Sequence, residues 1–288
     1  MRTIGTVIAS IAALALAGCG GGGESRPGPE SIRDLTGLAS PSETAAAQTA
    51  RAPAIVSRAD SLVMSTMHGE TSDARVPTLR VRARCAGTRC DLYELTTGYN
   101  ASIHLSDLSL TGLPTVAIGT KHGVTLMSWS DSDYTAYGAW MEHSGFAVQT
   151  EDGVIEDVRI GVRYGLAGGD LTGTRPTGSA TWLGLMVGTP TTGRPRGDRL
   201  QGIAALNYDM DAGGLDVGFS SITNVDRGAA HATPVVMFND LTIASDGTFQ
   251  AGLTGNRIQG GFYGPGHAEA AGVFEQANIV GAFGAKRQ

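Results

Sequence analysis

Six histidines and a group of aspartates are the side chains of this sequence whose types could support catalysis or metal binding. The histidines are His68, His104, His122, His143, His231 and His267. No two of them stand in an HxxxH or HExxH spacing, and the sequence has no Gly-x-Ser-x-Gly nucleophile turn. We therefore interpret each histidine as a surface or turn residue, and we predict that the chain is not an enzyme.

Asp209, Asp211 and Asp216 surround Gly213-Gly214 in an arrangement that weakly resembles a calcium-binding loop. The spacing lacks the regular run of oxygen ligands that such loops have. A hairpin turn between two strands explains the aspartates better. We predict no metal site and no cofactor.

The richest aromatic stretch runs from 134 to 146, with one tryptophan just before it. Its candidate ligand-binding residues are Trp129, Tyr134, Tyr137, Trp140, Met141 and His143. Aromatic side chains and methionine are favoured in binding hot spots. The alternative is that they form the core of a small domain, because both faces of the predicted strand carry large groups. No spacing of tyrosine or histidine here supports haem capture.

The N-terminus has the pattern of a bacterial lipoprotein signal. Arg2 precedes an apolar stretch over 4–16 that is too short to cross a bilayer, and Leu16-Ala17-Gly18-Cys19 follows it. This pattern predicts cleavage of a signal peptide, residues 1–18, and acylation of Cys19. Several acyl chains would then anchor the chain to a membrane. Gly20, in place of aspartate, favours sorting to the outer membrane. An ordinary secretory signal is the alternative.

The other two cysteines, Cys85 and Cys90, lie close together on either side of a Gly87-Thr88 turn. An exported chain folds in an oxidising compartment, where cysteines pair. Metal binding would need more ligands than this pair supplies. The sequence therefore predicts a local disulfide.

The composition is typical of a folded protein that does not bind nucleic acid. Of the 288 residues, 41% are hydrophobic and 17% are charged, which is sufficient for a packed core. The net charge is −6 and no run of lysine or arginine is present, so we predict no contact with nucleic acid. The 42 glycines follow no three-residue period and indicate many turns.

Residues 19–69 are interpreted as an acylated tether with a weakly helical lead-in. Four glycines at 20–23 give a flexible start. The alanine-rich segment 42–51 and a second segment, which begins at Pro53 and ends near Met67, are predicted to be helical because their apolar residues fall near helical spacing.

From about Arg75 the apolar period changes to two. Val158, Ile160, Val162 and Tyr164 share one face, for example. Residues 70–178 are therefore predicted to be a small, irregular β domain.

Residues 179–288 show eight short runs separated by turn residues. The runs are 180–189, 200–210, 215–222, 234–243, 248–254, 257–264, 269–276 and 279–287. Most links are too short for a crossover, so neighbours must pair antiparallel. Closure of eight such strands, with the last pairing with the first near Trp182, predicts an up-and-down barrel.

The predicted inner face of the last three strands places a glycine beside a phenylalanine in each strand. These residues are Gly260 and Phe262, Gly272 and Phe274, and Gly281 and Phe283. The interior of an eight-stranded barrel is narrow, and alternating large and small residues lets the rings fit. The apolar face points inward, which is the reverse of an outer-membrane barrel.

The closing segment resembles a known family. Phe262-Tyr263-Gly264-Pro265, the strand from Glu269 to Phe274 and the terminal Phe283-Gly284-Ala285-Lys286 are similar to the last strands of transferrin-binding protein B-like surface lipoproteins, which include the barrel domain of factor H-binding proteins. Gly266-His267-Ala268 departs from the asparagine-containing turn of that family. The resemblance covers 178–288. It implies an eight-stranded barrel preceded by a handle-like β domain.

Together these patterns predict an all-β lipoprotein of the outer membrane, exposed at the surface, that binds an unknown protein or small molecule non-covalently. The links 189–199 and 223–233 are the predicted recognition loops. An iron- or haem-related ligand is one version of this hypothesis. The alternatives are a structural envelope lipoprotein without a discrete ligand and a surface hydrolase.

Overall fold

The computed structural model describes residues 47, 50, 51, 54 and 55, and then 63–71, 78–79, 81–86, 89–94, 100–104, 113–130, 134–155, 157–193, 197–211 and 213–288. The predicted signal peptide, Cys19 and the predicted tether lie outside this range. Every pairing between the described strands is antiparallel, which confirms the all-β fold class. No described helix is long and apolar enough to span a bilayer.

A seven-stranded sheet, the handle sheet, comes first, in the order β2-β1-β10-β9-β8-β7-β6. Its strands are β1 (Val63–Thr71), β2 (Thr78–Leu79), β6 (Leu113–Lys121), β7 (Val124–Ser130), β8 (Tyr134–Trp140), β9 (Ser144–Ile155) and β10 (Val158–Gly169). The longest two, β9 and β10, pair along their whole length. The alternation of apolar residues over 158–164 was a correct signal for this sheet.

A separate three-stranded sheet contains β3 (Val81–Ala86), β4 (Arg89–Glu94) and β5 (Asn100–His104). Cys85 and Cys90 are directly opposed in the β3–β4 register. Opposed residues of an antiparallel pair have Cα atoms within the range that a disulfide requires. The register suits the predicted disulfide, which stays a prediction.

The helical interpretation of the lead-in is wrong beyond residue 62. Val63–Thr71 is strand β1, which pairs with β10 from Val63↔Gly168 to Thr71↔Ile160. Val63 and Met67 are four residues apart, so their spacing fits a period of two as well as a helix. Pairing satisfies the backbone groups along the edge of β10, which a helix there would leave open. The five described residues before β1 are α-helical.

The eight C-terminal runs are confirmed as strands of one sheet. They are β11 (Ala180–Pro190), β12 (Leu200–Asp209), β13 (Gly214–Asn224), β15 (Val236–Leu241), β16 (Thr248–Leu253), β17 (Asn256–Tyr263), β18 (Glu269–Gln276) and β19 (Ile279–Arg287). A two-residue strand, β14 (Ala229–Ala230), adds to the edge of β13, and a 3-10 turn (Pro265–His267) precedes β18. Consecutive strands are neighbours, as in an up-and-down barrel.

The first and last of these strands pair as predicted, from Trp182↔Arg287 to Pro190↔Ile279. The ring of ladders is less complete between β15 and β16. There the described residues form one isolated bridge, Ile243↔Phe249. The barrel therefore has a seam between β15 and β16. The other neighbouring strands of the barrel pair by ladders, as predicted.

Glycines face phenylalanine rings inside the barrel, but each partner comes from a neighbouring strand. The pairs are Gly260 with Phe249, Gly272 with Phe283, and Gly281 with Phe274. A methyl group placed on Gly272 would lie 2.7 Å from Phe283 Cζ and 2.4 Å from the Gln259 carbonyl oxygen. Side chains larger than hydrogen have no room at this position.

Phe249, Ala251 and Leu253 alternate in the sequence as residues of one inner face would, but only Phe249 is buried. Ala251 is exposed, and the side chain of Leu253 is 83% exposed. The cause is the seam. Ala251 and Leu253 lie beyond Phe249, which forms the one bridge across the seam, and no described strand on the β15 side covers them.

A second core lies between the handle sheet and the outer face of β11, β18 and β19. Its residues are Val124, Leu126, Tyr137, Ala139, Met141, Phe146, Val148 and Ala167 from the handle sheet, and Leu185, Val187, Tyr263, Ala271, Val273 and Ala282 from the barrel. These three barrel strands are thus apolar on both faces. The burial of the outer face fixes the handle sheet to the barrel, since apolar burial contributes roughly 25 cal/mol per Å².

We predict that Gly272→Leu destabilises the chain by about 1–3 kcal/mol, because the new side chain overlaps Phe283 and the backbone of β17. Urea unfolding measures this change. Ala251→Leu, which introduces the same side chain at an exposed position in β16, is the control and should leave stability within about 0.5 kcal/mol. Equal losses in both variants would contradict the packing described.

Candidate functional site

A buried carboxylate joins the barrel to the handle sheet. Glu269, the first residue of β18, is only 1% exposed. Its oxygens accept hydrogen bonds from the backbone N–H groups of Glu142, at 2.8 Å, and His143, at 3.0 Å, and from Ser144 Oγ, at 2.8 Å. These donors belong to the turn between β8 and β9 and to Ser144, the first residue of β9. A buried charge is tolerated where hydrogen bonds replace its water.

Arg51, from the helical lead-in, contacts the same turn from another side. Its Nε donates to the Met141 carbonyl at 3.0 Å, and its Nη2 donates to the Trp140 carbonyl at 2.6 Å. Burial lowers the pKa of Arg51, whereas the negative charges of Glu269 and Glu142 act in the opposite direction. The lead-in, the handle sheet and the barrel thus meet at one point, the Glu269 junction.

The Phe-Tyr-Gly-Pro segment also contributes to this junction. Gly264 N–H donates to the Asp170 carbonyl at 2.9 Å, and Asp170 N–H donates to the His143 carbonyl at 2.9 Å. The His143 ring packs so closely on Gly264 that a methyl group there would lie 2.4 Å from His143 Cδ2. Only glycine fits, and its φ of 74° also favours glycine. The family-like motif therefore holds the two sheets together.

Most of the predicted aromatic site is buried. Tyr137, Trp140 and Met141 are each at most 2% exposed, and Tyr137 and Met141 belong to the core between handle sheet and barrel. His143 is half-buried in the turn. Of Trp129 and Tyr134 the structure gives only positions, in β7 and β8. The burial of these side chains favours the core alternative, and ligand binding by this run stays a prediction.

Two Asp-Arg dipeptides fasten the two longest links of the barrel to each other. Arg199 donates from Nε to Asp226 Oδ1 at 2.9 Å and from its backbone N–H to Asp226 Oδ2 at 2.6 Å. Reciprocally, the Arg227 guanidinium pairs with Asp198. β12 begins where β13 ends, with Leu200 opposite Asn224, so the residues flanking these positions are adjacent. We call this crossed pair the clasp.

The clasp is anchored to the core between the sheets. The Tyr137 hydroxyl donates to Gln201 Oε1 at 2.6 Å, and the Arg199 guanidinium lies 5.7 Å from the centre of the Tyr137 ring. Burial lowers the pKa of Arg199, but the hydrogen bonds and the charge of Asp226 raise it by more. The guanidinium therefore stays charged. Links of this length would otherwise be mobile.

The clasp lies at one end of the barrel, among link residues that are exposed or partly exposed. We call these residues, 192–193, 197–199 and 225–235, the clasp surface. It combines ion pairs with exposed Pro234 and Val235. Such a mixture suits recognition of a macromolecule, in which an apolar centre has a polar rim.

The described residues contain no group of three side chains that could hold a metal ion. The aspartates around 213 have other partners. Asp209 Oδ1 accepts from the Asp211 N–H at 3.0 Å, and Asp216 Oδ1 accepts from the Asp240 N–H at 2.9 Å. Asp209 stabilises the turn between β12 and β13, in agreement with the hairpin interpretation, and Asp216 joins β13 to β15.

Two functional features escaped the sequence analysis. The burial of Glu269 has no signal in the strand pattern, which gives no sign that a second sheet covers the outer face of the barrel. The clasp had a visible signal, the repeated Asp-Arg at 198–199 and 226–227. Both dipeptides border predicted strands that are neighbours in a hairpin.

Solved structures similar to this chain include transferrin- and lactoferrin-binding proteins. Transferrin binding protein B of Haemophilus parasuis is 14% identical, with 78% of this chain and 45% of that one covered, at a TM-score of 0.36. The N-lobe of lactoferrin binding protein B of Moraxella bovis is 14% identical, with 77% of this chain and 99% of that one covered, at a TM-score of 0.34. Transferrin binding protein B of Neisseria meningitidis is 16% identical, with 78% of this chain and 43% of that one covered, at a TM-score of 0.37.

The fold of this chain resembles lobes of these transferrin- and lactoferrin-binding proteins. The chain spans less than half the length of the first and the third structure. No protein-family model matches the sequence, and no curated protein matches it either.

We predict that Glu269→Ala destabilises the chain by about 3 kcal/mol, because several buried donors lose their acceptor. Glu142→Gln is the matched control. It changes an exposed carboxylate in the same turn and should shift the free energy of unfolding by less than about 0.5 kcal/mol. Urea unfolding compares them, and an unchanged Glu269→Ala protein would contradict the junction.

Alkaline pH should destabilise the fold through its buried tyrosines. Burial raises the pKa of Tyr137 and of Tyr263. Below about pH 10 both phenols are neutral in the folded and unfolded states; above it the unfolded state ionises first, so stability falls as pH rises. Unfolding free energies between pH 8 and 11 (about one unit on either side of the ordinary tyrosine pKa) measure this loss.

Tyr263→Phe and Tyr137→Phe form a matched pair for this test. The Tyr263 hydroxyl has no partner within the part of the chain that the structure describes, so its removal should not lower stability at neutral pH. Tyr137→Phe leaves Gln201 Oε1 without its donor and should cost about 1 kcal/mol. Both variants should flatten the alkaline decline, and an unchanged slope in both would refute this account.

Proposed function

We propose that this chain is a lipid-anchored outer-membrane protein that presents a non-covalent binding surface for a protein partner. The observation that carries the proposal is the clasp. It holds the two longest barrel links in one arrangement and couples them to the buried core through Tyr137 and Gln201. Preordering of loops lowers the entropic cost of binding.

The anchor rests on the sequence. Cys19 follows a lipoprotein-type signal, and a glycine-rich tether separates it from the folded body. Such a tether gives the body reach from the membrane. Arg51 of the lead-in is hydrogen-bonded to the turn at the Glu269 junction.

The described surface favours recognition over catalysis. Its charged side chains at the clasp are paired with one another, and a catalytic group needs a free proton-transferring or nucleophilic atom close to a substrate. We therefore propose a protein partner and no enzymatic activity. A structural envelope lipoprotein is the alternative that lacks a discrete ligand, and an iron or haem ligand is a narrower version that no geometry here favours.

Anchoring and exposure are tested in intact cells. Metabolic labelling with palmitate should mark the chain, and Cys19→Ala should abolish the label. Trypsin added to intact cells should cleave the exposed body. Full protection in intact cells combined with cleavage in lysed cells would rule out the surface location and leave a periplasmic structural role.

The binding surface is tested by a photo-crosslinking amino acid at Ala232, an exposed residue of the clasp surface. The same group at Ser245, exposed in a link at the opposite end of the barrel, is the control. A covalent adduct in cells should form from position 232 and not from position 245. Adducts from both positions, or from neither, would contradict a specific surface at the clasp.

A further inference from the structure

An open pocket of about 330 Å³ lies at the barrel end opposite the clasp. One side is the linker, residues 170–179, which joins β10 to β11. Arg175, Pro176 and Thr177 of the linker line it, and Tyr208, Met210 and Ile243 complete the main part of the wall. Pockets at the mouths of barrels and between domains are common ligand sites.

The linker is held in place, so the pocket is preformed. Thr172 N–H donates to the Phe262 carbonyl at 2.9 Å, and Thr172 Oγ1 donates to the Gly264 carbonyl at 2.7 Å. His267 Nε2 lies 2.9 Å from the Thr174 carbonyl oxygen. The Met210 sulfur accepts from the Gly178 N–H at 3.2 Å, which fixes the opposite wall relative to the linker.

Two hydrogen-bond donors line this pocket, the Tyr208 hydroxyl and the Arg175 guanidinium. Tyr208 is only 6% exposed and lies in the wall, whereas Arg175 is exposed at the rim. A guanidinium offers several donors in one plane, and a phenol offers one more. Together they can donate to the anionic head of one ligand.

We propose that this pocket binds a small amphipathic anion. Its carboxylate or sulfonate head accepts hydrogen bonds from Arg175 and Tyr208, and its apolar body packs on Pro176, Met210 and Ile243. The volume is near the lower end of the range for ligand pockets, so the ligand is smaller than a typical drug molecule. The site is separate from the clasp surface and does not depend on the proposed function.

The probe is 2-naphthoate, with 2-naphthalenemethanol as its uncharged counterpart. The full-length chain carrying Cys19→Ser, which removes the acylation site, is labelled with ¹³C-methyl methionine. It has 8 methionines, and Met210→Leu identifies the resonance of Met210. The Met210 methyl resonance should shift saturably with naphthoate and more weakly with the alcohol. No shift at up to about 5 mM naphthoate, a concentration that detects even weak binding, would overturn the proposal.

Substitutions separate the charge from the shape of the pocket. Arg175→Gln should weaken naphthoate binding about tenfold and leave the alcohol within about twofold, because only the anion uses the guanidinium. Tyr208→Phe keeps the ring and should also weaken naphthoate. Arg159→Gln, at an exposed arginine in β10, is the control. Equal affinity of Arg175→Gln and Arg159→Gln for naphthoate would exclude the site.

Discussion

Strands β11, β18 and β19 have both faces buried, and this constrains the parts of the molecule around them. Their inner face belongs to the barrel interior, whereas their outer face packs on Phe146, Val148 and other residues of the handle sheet. A charge on that outer face has no water, so Glu269 must be satisfied by protein donors. The backbone N–H groups of the β8–β9 turn supply these donors, and the hydrogen bonds hold the turn in place. Arg51 in turn donates to a carbonyl group of the same turn.

Loops at the clasp end depend on the same burial. Tyr137 reaches from the handle sheet to Gln201 at the start of β12, where its ring also lies near Arg199. The ion pairs of the clasp are partly exposed, and pairs of this kind contribute little on their own. Their role is to fix the loops in one arrangement on a support that the core already provides.

Much of the barrel was predictable from period and turn chemistry. Alternation identified all eight strands, and glycine beside phenylalanine identified the crowded interior around Gly272. Two kinds of feature were not predictable. The spacing of Val63 and Met67 fits a helix as well as a strand. The strand forms because it pairs with the edge of β10, which would otherwise be open. The burial of Glu269 and of Tyr137 depends on how one sheet covers another, which a single strand pattern does not encode.

The pairing of β11 with β19 has a consequence for the order of folding. It joins the first and last strands of the barrel along nearly their whole length, and it is the ladder between the most distant parts of the barrel sequence. We expect the hairpins from β16 to β19, whose contacts are local, to form early, and the β11–β19 ladder to form only after the long loop between these strands has closed. Before β19 pairs with β11, the outer face on which the handle sheet packs is incomplete. We therefore expect docking of the two sheets to be a late, cooperative event.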